Sequence, residues 1–127
     1  MSYTIKNLRE VDDMAVKHGF GEVQEARFPR GALGAEATGV AYHILKPGRR
    51  QPFAHRHQEA EEIFVVLSGS GRVKLDHDII EIKPLDSIRL SPEVARAFEA
   101  GDDGLEILVF GPHHERDAEM VQDFWED

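Results

Sequence analysis

Two histidines and a nearby carboxylate are the residues of this chain whose types and spacing are best suited to chemistry. His55 and His57 are separated by Arg56, and on a β-strand, where successive side chains face opposite ways, both histidines lie on one side. Two imidazoles one strand pitch apart can bind one metal ion, and Glu62, entering the next strand, can complete the set. Two histidines and one carboxylate with open positions suit non-haem Fe(II), and Zn, Mn, Ni or Cu occupy similar sets.

A surface role is the alternative for the histidine pair, because a His-x-His sequence is common and an isolated pair is more often exposed than metal-binding. The residues that follow the pair favour a metal site. The pair precedes an apolar run, Ile63 to Leu67, that is rich in β-branched residues and is predicted to be a strand buried on both faces. Polar ligands beside such a strand are costly unless they have a function.

Residues 48–69 resemble the first motif of the cupin superfamily, Gly-x5-His-x-His-x3–4-Glu-x6-Gly. The two histidines fall on the histidines of the motif. Because six residues separate it from Gly69, Glu62 rather than Glu61 falls on the glutamate. The leading glycine lies one residue further from the histidines than in the motif. The resemblance implies a jelly-roll barrel and three metal ligands, which are His55, His57 and Glu62.

A second cupin motif, Gly-x5-Pro-x-Gly-x2-His-x3-Asn, aligns by strand order with residues 85–100, but its defining residues are absent. The corresponding positions hold Leu85, Ser91, Glu93, Arg96 and Ala100. No histidine occurs between His77 and His113, so no shift of the alignment restores the missing ligand. The residue at that position is an arginine, and a guanidinium group stays protonated and cannot coordinate a metal.

Arg96 therefore leaves two arrangements open. In one, it pairs with Glu62, no metal is bound, and the barrel binds a small organic anion. In the other, the two histidines and Glu62 hold a metal, and Arg96 leans away to grip a substrate carboxylate or phosphate. At about 5 Å from a divalent ion, the guanidinium would be repelled by about 6–7 kcal/mol at an effective dielectric constant of about 20. Three further residues on predicted barrel strands are candidates for substrate binding, namely His43, Phe64 and Phe98.

These arrangements correspond to different functions. The arrangement with a metal is that of a metal-dependent enzyme of the dioxygenase or isomerase type that acts on a small anionic metabolite, with His43 or Glu61 as candidate general base. The arrangement without a metal is that of a module that binds a small anion. A barrel with a vestigial site is a third alternative, since a fold does not imply an activity.

The elements that must position these residues are short strands with turn residues close to every eight positions. This pattern predicts an all-β, antiparallel barrel or sandwich, and the resemblance refines it to the cupin jelly roll over residues 38–111. Turns are predicted at 68–71 and, as a hairpin turn, at 102–104.

Helices are predicted at both ends of the chain. Residues 7–18 begin with a capping-box-like pair, Asn7 and Glu10, within an N-terminal helix and extension that covers residues 1–37. A tail of residues 112–127 is predicted to contain a short helix. Its apolar face would consist of Met120, Val121, Phe124 and Trp125.

The composition of the chain limits its domain organisation and the kinds of partner it can bind. A chain of 127 residues is predicted to form one domain, and it has no cysteine and therefore no disulfide framework. The formal net charge of -9 argues against binding to nucleic acid or to an anionic membrane surface. With no long apolar run and no signal-peptide core, the sequence predicts a cytoplasmic protein. The resemblance implies a homodimer, because cupins often pair through barrel edges.

Overall fold

A computed structural model describes residues 2–114 and 116–125, which consist mainly of antiparallel β-strands. The elements follow one another in this order: a 3-10 turn Leu8–Glu10, α1 Met14–Lys17, β1 Gln24–Arg27, α2 Arg30–Leu33, β2 Gly39–Leu45, β3 Ala54–His57, β4 Glu62–Leu75, β5 Asp78–Ile82, β6 Ser87–Leu90, β7 Arg96–Gly111 and β8 Ala118–Val121. In this part of the chain, no helix has the length and apolar character needed to cross a membrane.

The strands form one curled sheet in which β7 is the central element. β1, β2, β7, β3 and β8 lie next to one another in that order, while β4 pairs with β5, β6 and β7. All of these pairs are antiparallel. The all-β barrel that the short strands predicted is therefore confirmed.

The two turns predicted at 68–71 and 102–104 are wrong, because both segments lie inside long bent strands. β4 has 14 residues and β7 has 16, and both arms of β7 pair with β4 instead of with each other. The register shifts between Gly69 and Gly71. At Gly69, where φ is +88°, a Cβ atom would overlap the carbonyl oxygen of Gly104, so glycine is required where the two strands bend together.

The helix predicted over residues 7–18 is also wrong, since only the 3-10 turn and the four-residue α1 form there. Between them, Asp13 has an extended backbone and bridges Arg27 at the end of β1. Its carboxylate accepts the N–H groups of Ala15 and Ala26, each at 3.0 Å. The bond to Ala26 and the backbone bridge to Arg27 tie Asp13 to β1, and its extended backbone interrupts the helix.

The predicted C-terminal helix is a strand instead. Residues 118–121 form β8, which pairs with β3, and Trp125 then donates its ring N–H to the carbonyl of Gln51 at 2.8 Å. The open edge of β3 offers backbone hydrogen bonds that a short amphipathic helix would leave unmade. Parts of the predicted domain and of its tail helix lie outside the described residues, at positions 1, 115, 126 and 127.

Apolar side chains fill the interior of the barrel, and three charged residues of the described chain, Lys74, Arg96 and Asp117, are also buried. Fully buried apolar residues include Leu45, Val66, Val73, Phe98, Leu105 and Ile107. Arg96 is the largest of the fully buried side chains in the described chain, and it is 1% exposed. An arginine is almost never buried to this degree unless it is paired.

Candidate functional site

Neighbouring strands bring the three predicted ligands together. His55 and His57 lie on β3, and Glu62 is the first residue of β4. One potential ligand atom from each residue lies within 4.8 Å of the others. The two imidazole rings are perpendicular, with centroids 5.2 Å apart. The His-x-His spacing on a strand thus places both rings on one side, as the sequence predicted.

Glu62 lies at the centre of the group. Its Oε1 atom is 3.3 Å from His57 Nε2 and 3.8 Å from His55 Nε2. Burial alone would raise the pKa of Glu62, but the rings of His55 and His57 outweigh that effect and lower the pKa to about 2. Glu62 is therefore ionised at neutral pH and can serve as an anionic ligand.

The same oxygen of Glu62 also accepts a hydrogen bond from Arg96 Nη1 at 2.7 Å. Arg96 faces His55 across the β3–β7 pair, and its Nη2 donates to the carbonyl oxygens of Ser91 and Pro92 at 3.2 and 3.5 Å. Burial lowers the pKa of Arg96, and Glu62 opposes that shift. The guanidinium is therefore held against Glu62 at the place where the family motif has its histidine.

His57 is held from several directions. Its backbone N–H donates to the carbonyl of Pro92 at 2.7 Å, and its ring Nδ1 lies 3.1 Å from Oδ2 of Asp117. Its Nε2 is buried and has no hydrogen-bond partner in the described chain, although it lies 3.3 Å from Oε1 of Glu62. Burial would lower the pKa of His57, but the adjacent Glu62 carboxylate has the larger effect and raises it.

The sequence interpretation missed Asp117. Its Oδ1 accepts the N–H of Glu59 at 2.8 Å, and its Oδ2 accepts the N–H of Ala60 at 3.0 Å. Burial opposes the charge of this side chain, yet these donors and the ring of His57 lower its pKa. Asp117 lies about sixty positions beyond His57, and no local pattern in the sequence pointed to it.

His43 lies on β2 beside this group but is not one of its members. Its ring packs edge-on against Phe28, with centroids 5.6 Å apart, and its Nδ1 is buried without a hydrogen-bond partner in the described chain. Burial, and then the proximity of His55, lower the pKa of His43 to about 4. The ring is therefore neutral at pH 7.

The remaining candidates are two aromatic residues and one further glutamate. Phe64 and Phe98 pack together in the barrel core, with ring centroids 5.1 Å apart. Glu61 points outward and pairs with Arg89 at 3.0 Å. An outward, ion-paired Glu61 is poorly placed to act as a base at the Glu62 site.

The residues fit a divalent transition metal. Two imidazole nitrogens and one carboxylate oxygen converge, and they are donors that suit Fe, Mn, Zn, Ni and Cu. The buried, unpartnered Nε2 of His57 is the kind of atom that a metal would satisfy. Opposing this fit is the positive charge of Arg96.

A family model described as "Cupin domain" matches residues 41–111. An uncharacterized protein of Methanocaldococcus jannaschii is 32% identical over 81 residues, which are 61% of this chain and 65% of that protein. The chain therefore spans just under two thirds of the length of this curated relative.

Two solved structures have a similar fold. A cupin protein from Bacteroides fragilis has a TM-score of 0.71 and 23% identity, and the match covers 91% of this chain and 88% of that one. A putative sugar phosphate isomerase from Acidithiobacillus ferrooxidans has a TM-score of 0.68 and 26% identity, with 79% of this chain and 66% of that one covered.

Proposed function

Because this chain belongs to the cupin family, we propose that it is a metal-dependent enzyme that acts on a small anionic metabolite. In this proposal His55, His57 and Glu62 hold one divalent transition metal. The observation that carries it is the convergence of their ligand atoms within 4.8 Å, with Nε2 of His57 buried and unpartnered among the described residues.

An isomerase reaction is the form of this activity that we favour over a dioxygenase reaction. The structural relative named as a putative sugar phosphate isomerase supports both the reaction type and the anionic substrate. When bound, a divalent metal supplies Lewis acidity toward a substrate carbonyl or hydroxyl oxygen. The ring of His43 is neutral at pH 7, and in this proposal His43 exchanges a proton with the substrate.

The charges near the site favour an anion. Arg96 offsets the negative charge of Glu62, so a bound divalent metal would leave an excess of positive charge at this end of the barrel. In this proposal Arg96 attracts the substrate through its field while it stays bonded to Glu62. Phe64 and Phe98 form the apolar wall behind the site.

A second candidate function rests on one contact. Arg96 donates to Glu62 at 2.7 Å, and this is the pairing expected if the barrel binds a small anion without metal. In that case the histidines and Arg96 recognise the anion through hydrogen bonds and charge.

Metal stoichiometry separates the two candidates. Tag-free protein, prepared without added metal and after titration with one, is compared by plasma mass spectrometry with a His55→Ala/His57→Ala control. About one transition metal per chain, lost in the control, supports the enzyme. Absence of metal in both samples, before and after titration, refutes the enzyme proposal and favours the metal-free module.

We also propose that the chain forms a homodimer in the cytoplasm and that its strands follow the jelly-roll order of the family. Size-exclusion chromatography with light scattering gives the mass in solution, and a monomer at micromolar concentration would contradict the homodimer.

A further inference from the structure

The segment that follows β7 brings a carboxylate to the inner histidine of the site. Asp117 precedes β8, which pairs with β3, so this pairing places the carboxylate beside His57. The family match ends at residue 111, and Asp117 therefore lies outside the part of the chain that defines the family. Its side chain is only 6% exposed.

The hydrogen bonds of Asp117 favour a proton on Nδ1 of His57. An ionised carboxylate has acceptors only, and this one already accepts the backbone N–H groups of Glu59 and Ala60 at 2.8 and 3.0 Å. Nδ1 of His57 lies 3.1 Å from the same carboxylate and must therefore donate. In the neutral ring, Nε2 then holds the lone pair, and it is Nε2 that faces Glu62 at 3.3 Å.

We propose that Asp117 is a positioning residue that keeps the proton of His57 on Nδ1 and so presents the lone pair of Nε2 to the metal. This inference rests on the proposed function, because it assigns a role toward the metal that the three ligands would hold. A carboxylate behind a ligating histidine fixes the ring and makes the nitrogen a better ligand, and its loss costs about 10- to 100-fold in metal affinity.

The same side chain also holds the backbone at Glu59 and Ala60, so loss of metal binding alone would not distinguish positioning from folding. The tautomer of His57 does distinguish them. Long-range nitrogen–proton NMR correlations of the ring report directly whether Nδ1 or Nε2 is protonated, and they need no metal.

The experiment uses the full chain, in its metal-free form for NMR at a pH where the ring is neutral, and with Zn²⁺ as the probe for affinity. The variant is Asp117→Asn, and the control is Glu119→Gln. Glu119 lies on β8 and pairs with Arg56 at 3.0 Å, so the control removes a carboxylate from the same segment without touching His57.

We expect the Nδ1–H form of His57 in the wild type and in Glu119→Gln. In Asp117→Asn we expect a shift toward the Nε2–H form and a Zn²⁺ dissociation constant about 10- to 100-fold higher. A wild-type ring in the Nε2–H form overturns the inference even if the variant does not fold. A folded Asp117→Asn variant with an unchanged tautomer and a dissociation constant within about twofold of the wild type also overturns it.

The two proposals fail in different ways. If the wild type takes up no Zn²⁺ but its His57 changes tautomer in Asp117→Asn, the enzyme proposal fails and the role of Asp117 in fixing the ring stands. If the wild type binds Zn²⁺ and Asp117→Asn binds it equally well with the same tautomer, the metal site stands and the positioning role fails.

Discussion

Replacing Arg96 with methionine should strengthen metal binding. Nη1 lies 2.7 Å from Oε1 of Glu62, and a metal bound to that oxygen would lie about 2.1 Å from it. The nitrogen and the metal would then be at most about 4.8 Å apart. At an effective dielectric constant of about 20, a single and a double positive charge at that distance repel by about 7 kcal/mol.

Only part of this repulsion should appear in the measured affinity. The guanidinium charge is spread over several atoms, and the side chain can move away from an arriving metal. If about a third of the repulsion remains, Arg96→Met gains about 2–3 kcal/mol, which corresponds to an affinity about 30- to 150-fold higher.

The assay is competition for Zn²⁺ against a chromophoric chelator. Arg89→Met serves as the control, because Arg89 is an exposed arginine paired with Glu61, and its loss changes the net charge equally. Without metal, Arg96→Met should also be less stable to urea by about 3–5 kcal/mol, since Glu62 loses its bond to the guanidinium and keeps only the longer contacts to the two histidines. Bound Zn²⁺ should restore part of that loss.

The reasoning is refuted if folded Arg96→Met binds Zn²⁺ no more tightly than Arg89→Met. The guanidinium would then not oppose the metal, and its place at the position of the family histidine would have no electrostatic consequence.

Three further outcomes follow from the structure. Glu62→Gln leaves the buried guanidinium of Arg96 without its anionic partner and should lower the free energy of unfolding in urea by about 3–5 kcal/mol. The control Glu61→Gln, at an exposed position, should change it by less than about 0.5 kcal/mol. A loss below about 1 kcal/mol in Glu62→Gln would contradict the pairing. Because the pKa of Glu62 is lowered from 4.5 to about 2, its ionised form stabilises the fold above pH 4.5. The difference in unfolding free energy between wild type and Glu62→Gln should therefore shrink as the pH falls from 4.5 toward 2. A constant difference in urea titrations across that window would refute the lowered pKa. Gly71→Ala should lower the free energy of unfolding by more than about 2 kcal/mol because its Cβ would overlap a carbonyl oxygen of β7. Gly31→Ala, with open space around it, should stay within about 1 kcal/mol of wild type. Equal thermal stabilities of the two variants would argue against the close approach of β4 and β7.

Local patterns predicted the strands better than the ends of the chain. The apolar run Ile63 to Leu67 predicted a strand, and the run lies within β4, although Ile63 and Leu67 are exposed and the strand is therefore not buried on both faces. The predicted helices failed because their residues are held by distant partners. Asp13 bonds to β1, and residues 118–121 pair with β3. Neither partner is visible in a window of a few residues, so periodicity alone gave the wrong element.

The sequence likewise predicted the site residues that are close together in the chain and missed a distant one. His55, His57 and Glu62 are close in sequence, and strand geometry is sufficient to predict that they meet. The sequence left the contact between Arg96 and Glu62 as one of two alternatives, because the family alignment gave the position of Arg96 but not the direction of its side chain. Asp117 could not be found, since its only signal is its position in the folded chain.

The pairing of β3 has a consequence for the order in which the protein matures. In the described structure, the strand with the two histidines lies between β7 and β8, and both of these are synthesised later. A nascent chain on the ribosome therefore carries its histidines for about forty residues before Arg96 of β7 is made, and for about sixty residues before Asp117 is made. Metal loading should accordingly follow the pairing of β8 with β3, because the proposed support of the His57 ring by Asp117 is missing until then.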